Sequence, residues 1–308
     1  MLKHIGIYLR GVAMGAADVV PGVSGGTIAF ITGIYETLLD SIKSFDTEAL
    51  QFALKFNIRA LWAHINGTFL VALLAGIATS VLSLAKLITY LMEHQPVPLW
   101  SFFCGLIIIS TYLVLKEIKE RNLLPAASLL VSAIASYLIT TLTPASTPDA
   151  YWFIFLSGAI AICAMILPGI SGSFLLLIMG KYEFILDSIK EINLPVIIVF
   201  AAGCAFGLLS FSRLVSWLLK HYHDITVAAL AGFMIGSINK IWPWKQVLEY
   251  RINSKGQQKP FITENLSPQN FSTITGEDPQ LLLAIVFFLL GIILVFSVDK
   301  VAVLVNKK

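Results

Sequence analysis

Apolar residues run along this chain in long blocks of helical length, broken by short polar stretches and without sustained period-two alternation. Six blocks are long enough to cross a membrane as helices: about 68–92, 98–116, 123–142, 194–219, 225–241 and 280–303. Two other regions, 5–43 and 151–190, have a different pattern, with two shorter apolar arms flanking a Pro-Gly-x-Ser-Gly break. Each arm has about 16 residues, near 24 Å at the helical rise, which is short of a comfortable crossing. The pattern predicts a re-entrant helical hairpin in each region. Between them, 44–66 carries Phe45, Ala49, Phe52, Phe56, Leu61, Trp62 and Ile65 at helical spacing with charges interspersed. It reads as an amphipathic helix, either lying in the membrane interface or packed over the bundle. Residues 242–279 read as a polar loop.

The chain is two copies of one unit. PGVSGGTIAFITGIYETLLDSIK (21–43) aligns with PGISGSFLLLIMGKYEFILDSIK (168–190) at an offset of 147, with more than half of the positions identical. At an offset of 127, LSLAKLITYLMEH (82–94) aligns with LSFSRLVSWLLKH (209–221), and Gly105/Gly232 and Ser110/Ser237 continue the match. The first repeat is 1–142 and the second 151–308, each a hairpin followed by three spans. The offset falls because the first copy carries the extra segment 44–66.

Parity sets how the copies are related. A hairpin crosses an even number of times and three spans follow, so the second copy starts on the opposite side. The expected fold is therefore an all-α polytopic membrane protein of two inverted-topology repeats, as in many alternating-access transporters. Loop charge orients it. With both termini cytoplasmic, Lys43–Arg59, Lys116–Arg121 and the tail lysines 300, 307 and 308 lie inside, and the Lys/Arg-free loop 143–150 lies outside. Loop 242–279, with Lys245, Arg251, Lys255 and Lys259, would be outside against that rule.

Composition agrees with the pattern. Of the 308 residues 57% are hydrophobic and 13% charged, about half the charge of a soluble domain, and mean hydropathy is +0.84. A soluble enzyme is excluded. A net charge of +3 is too small to imply a nucleic-acid partner. The apolar stretch Ile5–Leu9 is too short for a cleavable signal. Cys104, Cys163 and Cys204 show no metal or redox spacing and read as small buried hydrophobes.

The chemistry sits in the breaks. Pro21 stops the incoming arm, and Gly22, Gly25 and Gly26 open backbone conformations that feed a helix N-terminus at Thr27. Within a membrane those free N–H groups need a partner, and an oxygen-rich anion suits them, aided by the hydroxyls of Ser24 and Thr27. Ser171, Gly172 and Ser173 offer the same in the second copy. Lys86 and Arg213 are repeat equivalents, each about 12 Å along its helix from an interfacial histidine. They are candidate partners for such an anion on a membrane pathway, one per side, with snorkelling as the alternative. Asp18, Glu36 and Glu183 are the candidates for a coupling H⁺ or Na⁺; the alternatives are Lys86 or a local helix-terminal partner for Asp18, and ordinary solvation near the interfaces for the two glutamates. No metal, cofactor or catalytic residue is expected, because the chain has no metal-ligand or hydrolase motif and its five His all flank the apolar spans.

The stretch GVAMGAADVVPGVSGGTIAFITGIYETLLDSI, with the second PGISGS, resembles the signature of a bacterial and archaeal membrane family once known only as a domain of unknown function. That family is described as polyprenyl-phosphate transporters, which return undecaprenyl phosphate across the cytoplasmic membrane for envelope synthesis. The resemblance covers essentially the whole chain. It departs at Ser173 and Phe174, where the first copy has Gly26 and Thr27. It implies a flippase for a lipid phosphate, with membrane lipids as its surroundings. From the residues alone, a carrier or channel for a small ion or organic anion and an intramembrane lipid phosphatase stay open.

Overall fold

In the computed structural model, which describes residues 2–19, 23–120, 122–143, 147–252 and 258–306, nearly every apolar block is a helix. The first half comprises α1 (Leu2–Asp18), α2 (Gly25–Ile31), α3 (Tyr35–Lys43), α4 (Thr47–Leu54), α5 (Ile58–His64), α6 (Gly67–His94), α7 (Pro96–Lys116) and α8 (Leu123–Thr141). The second comprises α9 (Tyr151–Ile166), α10 (Gly172–Ile178), α11 (Tyr182–Lys190), α12 (Leu194–His221), α13 (His223–Ile241), β1 (Lys245–Ile252), β2 (Gln258–Asn265), α14 (Pro268–Thr275) and α15 (Leu281–Asn306). Pro21, Gly22, Arg121, Lys255, Lys307 and Lys308 lie outside the described residues, as do the side chains of Lys3, Arg251, Lys259 and Lys300.

Among the described residues, α6, α7, α8, α12 and α13 are long and apolar enough to cross a membrane, which makes this a membrane protein. The described apolar parts of α9 and α15 are shorter. Two expectations change in detail. Segment 44–66 is two short helices, because Phe56 takes a left-handed φ of 52° and Asn57 then caps α5, its side-chain oxygen accepting from Ala60 N–H. Segment 242–279 holds an antiparallel hairpin of β1 and β2, pairing Lys245 with Asn265 through Ile252 with Gln258, and then α14. Trp242 and Trp244 tie its base down, their indole N–H groups donating to Leu266 O and Pro279 O.

The two halves use the same contacts. Gly11 of α1 abuts Leu73 O of α6, and Gly76 of α6 abuts Tyr8 O of α1. The repeat-equivalent glycines, Gly158 and Gly203, abut Phe200 O and Phe155 O between α9 and α12. Without side chains at these positions the helices approach to backbone contact, the usual route to tight packing in lipid. The third spans are exchanged: α8 packs along α13 of the other half, and α15 along α7. Gly232 seats against Leu129 O and Gly105 against Phe288 O in these two contacts.

The helix ends sort onto two faces. At one, Asp224 at the start of α13 accepts from Glu120 N–H just before α8, and Asp40 of α3 accepts from Ser216 and Lys220 near the end of α12. At the other, Asn239 near the end of α13 donates to Thr140 at the end of α8, and Lys181 before α11 reaches Thr147 O and Asp149. Asp40 of the first motif segment thus contacts the end of α12, and Lys181 of the second contacts the stretch that precedes α9.

Candidate functional site

The described residues of both breaks lie in the interior, and they touch each other. Ser24 has extended backbone and caps α2, its Oγ accepting from Gly26 N–H at 3.1 Å. The same hydroxyl donates across the halves to Leu167 O at 3.1 Å and Met165 O at 3.3 Å. Thr27 Oγ1 accepts from Gly169 N–H at 3.0 Å. Gly169 takes a φ of +90°, and a Cβ there would sit 2.9 Å from Phe233 O, so only glycine fits both the conformation and the space. A Cβ on Gly26 would sit 2.6 Å from Ile166 O. Ser24 and Thr27 are fully buried, at 1% and 0% exposure, so neither hydroxyl faces solvent in this state.

The first free N–H of α2 is already matched. Asp18, the last residue of α1, places Oδ1 2.7 Å from Gly25 N. A carboxylate at a helix N-terminus is the internal counterpart of a bound anion. The second break has no such group, since Met165 stands at the repeat position of Asp18. Ser171 does not cap α10 and instead shares a hydrogen bond with Ser173 at 2.8 Å. A Cβ on Gly172 would collide with Ala161 O and lie 2.7 Å from the Met165 side chain.

The other expected residues sit on α3, α6, α11 and α12. Arg213 is exposed on α12 and donates to Phe45 O at 3.2 Å and to Leu209 O of its own helix at 3.3 Å. Lys86 is exposed on α6. Neither hydrogen-bonds to a motif residue among the described residues. Glu36 lines a small cleft with Asp40 and Lys220, and Glu183 is half-buried on α11. A larger cleft of about 280 Å³ opens between the end of α2 and the end of α7, lined by Phe30, Ile31, Leu113, Lys116 and Glu117 among others. Burial there pushes the Glu117 carboxyl above its ordinary pKa, with His223 opposing and Glu36 adding to the rise.

Three lysines were missed by sequence reasoning. Lys181 is 2% exposed, pairs with Asp149 and lies between the Phe153 and Phe184 rings. Lys240, at the end of α13, holds its ammonium 4.4 Å from the Phe174 ring of α10. Lys245, opening β1, holds its ammonium 4.3 Å from the Trp100 ring of α7 and donates to Lys240 O. Their signal was a break in the repeat. At the two offsets Lys181 replaces Ile34, Lys240 replaces Leu113 and Lys245 replaces Ile118. A charge at one of two otherwise apolar equivalent positions is a difference between the halves.

Residues 14–259 match the family described as undecaprenyl phosphate translocase-like. A protein of Vibrio cholerae serotype O1 named polyprenyl-phosphate transporter is 48% identical over 301 residues, covering 98% of each chain. A Staphylococcus aureus protein of the same name is 32% identical over 253 residues, covering 76% of this chain and 85% of that one. No solved structure matches the chain. With the match running through both breaks and most of the helices around them, the chain belongs to the undecaprenyl phosphate translocase-like family.

Proposed function

We propose that this protein carries polyprenyl phosphate, with undecaprenyl phosphate as its natural form, across the cytoplasmic membrane by alternating access. The observation that carries the reading is the contact between the two breaks. Ser24 and Thr27 of the first Pro-Gly-x-Ser-Gly loop bond to Met165, Leu167 and Gly169 at the second in the interior, and each loop opens a short helix. A phosphate monoester brings about −1.5 to −2 charges at neutral pH, very costly to move unpaired through hydrocarbon. A junction rich in backbone donors and hydroxyls offsets that penalty for the headgroup while the prenyl chain stays in lipid. Ser24, Gly25, Gly26 and Thr27 of one loop and Ser171, Gly172 and Ser173 of the other are the groups assigned to it.

The reading takes the two halves as inverted repeats whose motif segments are re-entrant hairpins. Support comes from the equivalent Gly11/Gly76 and Gly158/Gly203 contacts, and from Asp40 of the first motif segment packing at the end of α12 that leads into α13 while Phe174 of the second packs on Lys240 at the far end of α13. Both termini are assigned to the cytoplasm from loop charge. Asp18 is the favoured coupling group, because protonation or Na⁺ binding would free Gly25 N–H for the phosphate. Arg213, spent on Phe45 O, is better suited to holding segment 44–66 than to binding substrate. Lys86 can meet headgroups from the lipid side. The protein transports its lipid and does not hydrolyse it.

The test is movement of a labelled polyprenyl phosphate between leaflets of vesicles that contain only this protein. Transport without release of inorganic phosphate is expected. Transfer of inorganic phosphate but not of the lipid would replace this reading with that of a small-anion carrier.

A further inference from the structure

Lys240 and Lys245 form a cationic pair that the transport reading does not use. Both are half-buried, and the backbone of one accepts from the ammonium of the other. Neither makes an ion pair with a carboxylate among the described residues; their close neighbours are aromatic, Phe174 for one and Trp100 for the other. An ammonium carries several N–H donors, and the described hydrogen bonds use only the one from Lys245 to Lys240 O. Two adjacent like charges, partly removed from water, oppose each other unless an anion joins them. Burial, and then the charge of Lys240, pushes the Lys245 amine down to about 7, with Cys104 acting the other way. The aromatic rings offset part of that penalty, since each ammonium lies near a ring centroid.

Placement matters as much as charge. Phe174 belongs to α10, the helix that the second break opens, so Lys240 stands beside that loop. Lys245 begins the hairpin whose base is tied down by Trp242 and Trp244. The pair thus lies where the second motif helix, the end of α13 and the start of α7 converge.

We propose that Lys240 and Lys245 together bind a terminal phosphate group, held between their ammonium groups beside Phe174 and Trp100. That the phosphate is a lipid headgroup on its way to or from the second loop rests on the transport reading; the anion site itself does not. The rings supply apolar walls suited to the first isoprene unit behind the phosphate.

Wild-type protein answers the question without relying on variants to fold. An amine-acylating reagent is applied to the full chain in detergent near pH 8, and modification at each lysine is followed by peptide mass spectrometry. Farnesyl phosphate should slow modification of Lys240 and Lys245 by about tenfold or more, and farnesol at the same concentration should not. Equal protection by farnesol, or none by either phosphate probe, overturns the site. If inorganic phosphate protects as well as farnesyl phosphate, the site stands and free phosphate is its ligand. In equilibrium binding, Lys240→Gln and Lys245→Gln should each weaken farnesyl phosphate by at least about tenfold, while Lys240→Arg retains most of the affinity. Vesicles that move polyprenyl phosphate while both lysines remain unprotected end this inference and leave transport standing. Protection without transport does the reverse.

Discussion

The two breaks have nearly the same sequence and opposite hydrogen-bonding economies. In the first, Ser24 caps its helix and grips two carbonyls of the other half, Thr27 holds Gly169, and Asp18 takes the N–H of Gly25. In the second, Ser171 turns to Ser173, its helix has no side-chain cap, and Met165 replaces the carboxylate. The first loop is thus a closed lock and the second an open donor set, with Lys240 beside it. Duplicated sequence need not mean duplicated use. In this state one copy holds the junction together while the other is left free to receive a ligand, and the first joins the headgroup site once Asp18 releases Gly25 N–H.

Glycine replacements separate the loops most strongly. Gly172→Val drives a side chain into the backbone carbonyl of Ala161, which cannot swing away. We expect about 1–3 kcal/mol of lost stability and nearly complete loss of lipid transport. At Gly25 the obstruction is the Asp18 carboxylate, 2.5 Å from a Cβ, and that side chain can rotate. Gly25→Ala should therefore keep substantial transport. Equal inactivation by both variants, measured in the same vesicles, would mean that the loops do not differ as described.

Next in size is Asp18→Asn. The amide still accepts from Gly25 N–H but carries no charge to compete with phosphate. Farnesyl phosphate should bind about tenfold more tightly, worth roughly 1.4 kcal/mol. Unchanged affinity in a calorimetric titration would remove Asp18 from the substrate path.

The serines sharpen the contrast further. Ser24→Ala should cost about 1–2 kcal/mol of stability, since it removes a cap and a link between the halves. Ser171→Ala should leave thermal stability within about 0.5 kcal/mol and weaken headgroup binding a few-fold. The reverse pattern in paired melting and binding curves would exchange the two roles.

Arg213→Gln should have the smallest effect. It loses an exposed contact to Phe45 O, worth up to about 1 kcal/mol, and transport should stay near wild type. A large drop in transport with unchanged stability would return Arg213 to the substrate path.

Much of this was legible in the sequence for a specific reason. A duplicated break such as PGVSGG/PGISGS marks positions where backbone geometry rather than side-chain packing is constrained, and such positions survive as letters. Each of the six long apolar blocks coincides with a described helix, but the return arm of each motif segment is two helices, parted at Gly33 and Gly180, whose φ angles are positive, and 44–66 is two helices rather than one. Direction around a helix did not follow. Helical rise gives the height of Arg213 along α12, but its azimuth, toward Phe45, depends on which neighbour α12 packs against. Asp18 was noticed as a carboxylate near the loop, yet its bond to Gly25 depends on how α1 ends. The lysines at 240 and 245 escaped because one closes a helix and the other sits in a segment expected as a loop. The comparison of repeats already held them as mismatches. The β-hairpin was hidden by the short, interrupted alternation of KQVLEYRI.

The exchanged third spans bear on how the chain is made. Its partner in α13 is synthesised only after α8 is complete, roughly eighty residues later, and α15 likewise arrives long after α7. At about 5–20 residues per second, α8 waits several seconds in the bilayer with its Gly232-facing groove unfilled. The first half therefore leaves the ribosome as an unfinished object, without the neighbours that α7 and α8 finally pack against. Cutting the gene between residues 142 and 151 would yield two fragments that insert separately and become a protein only when they meet.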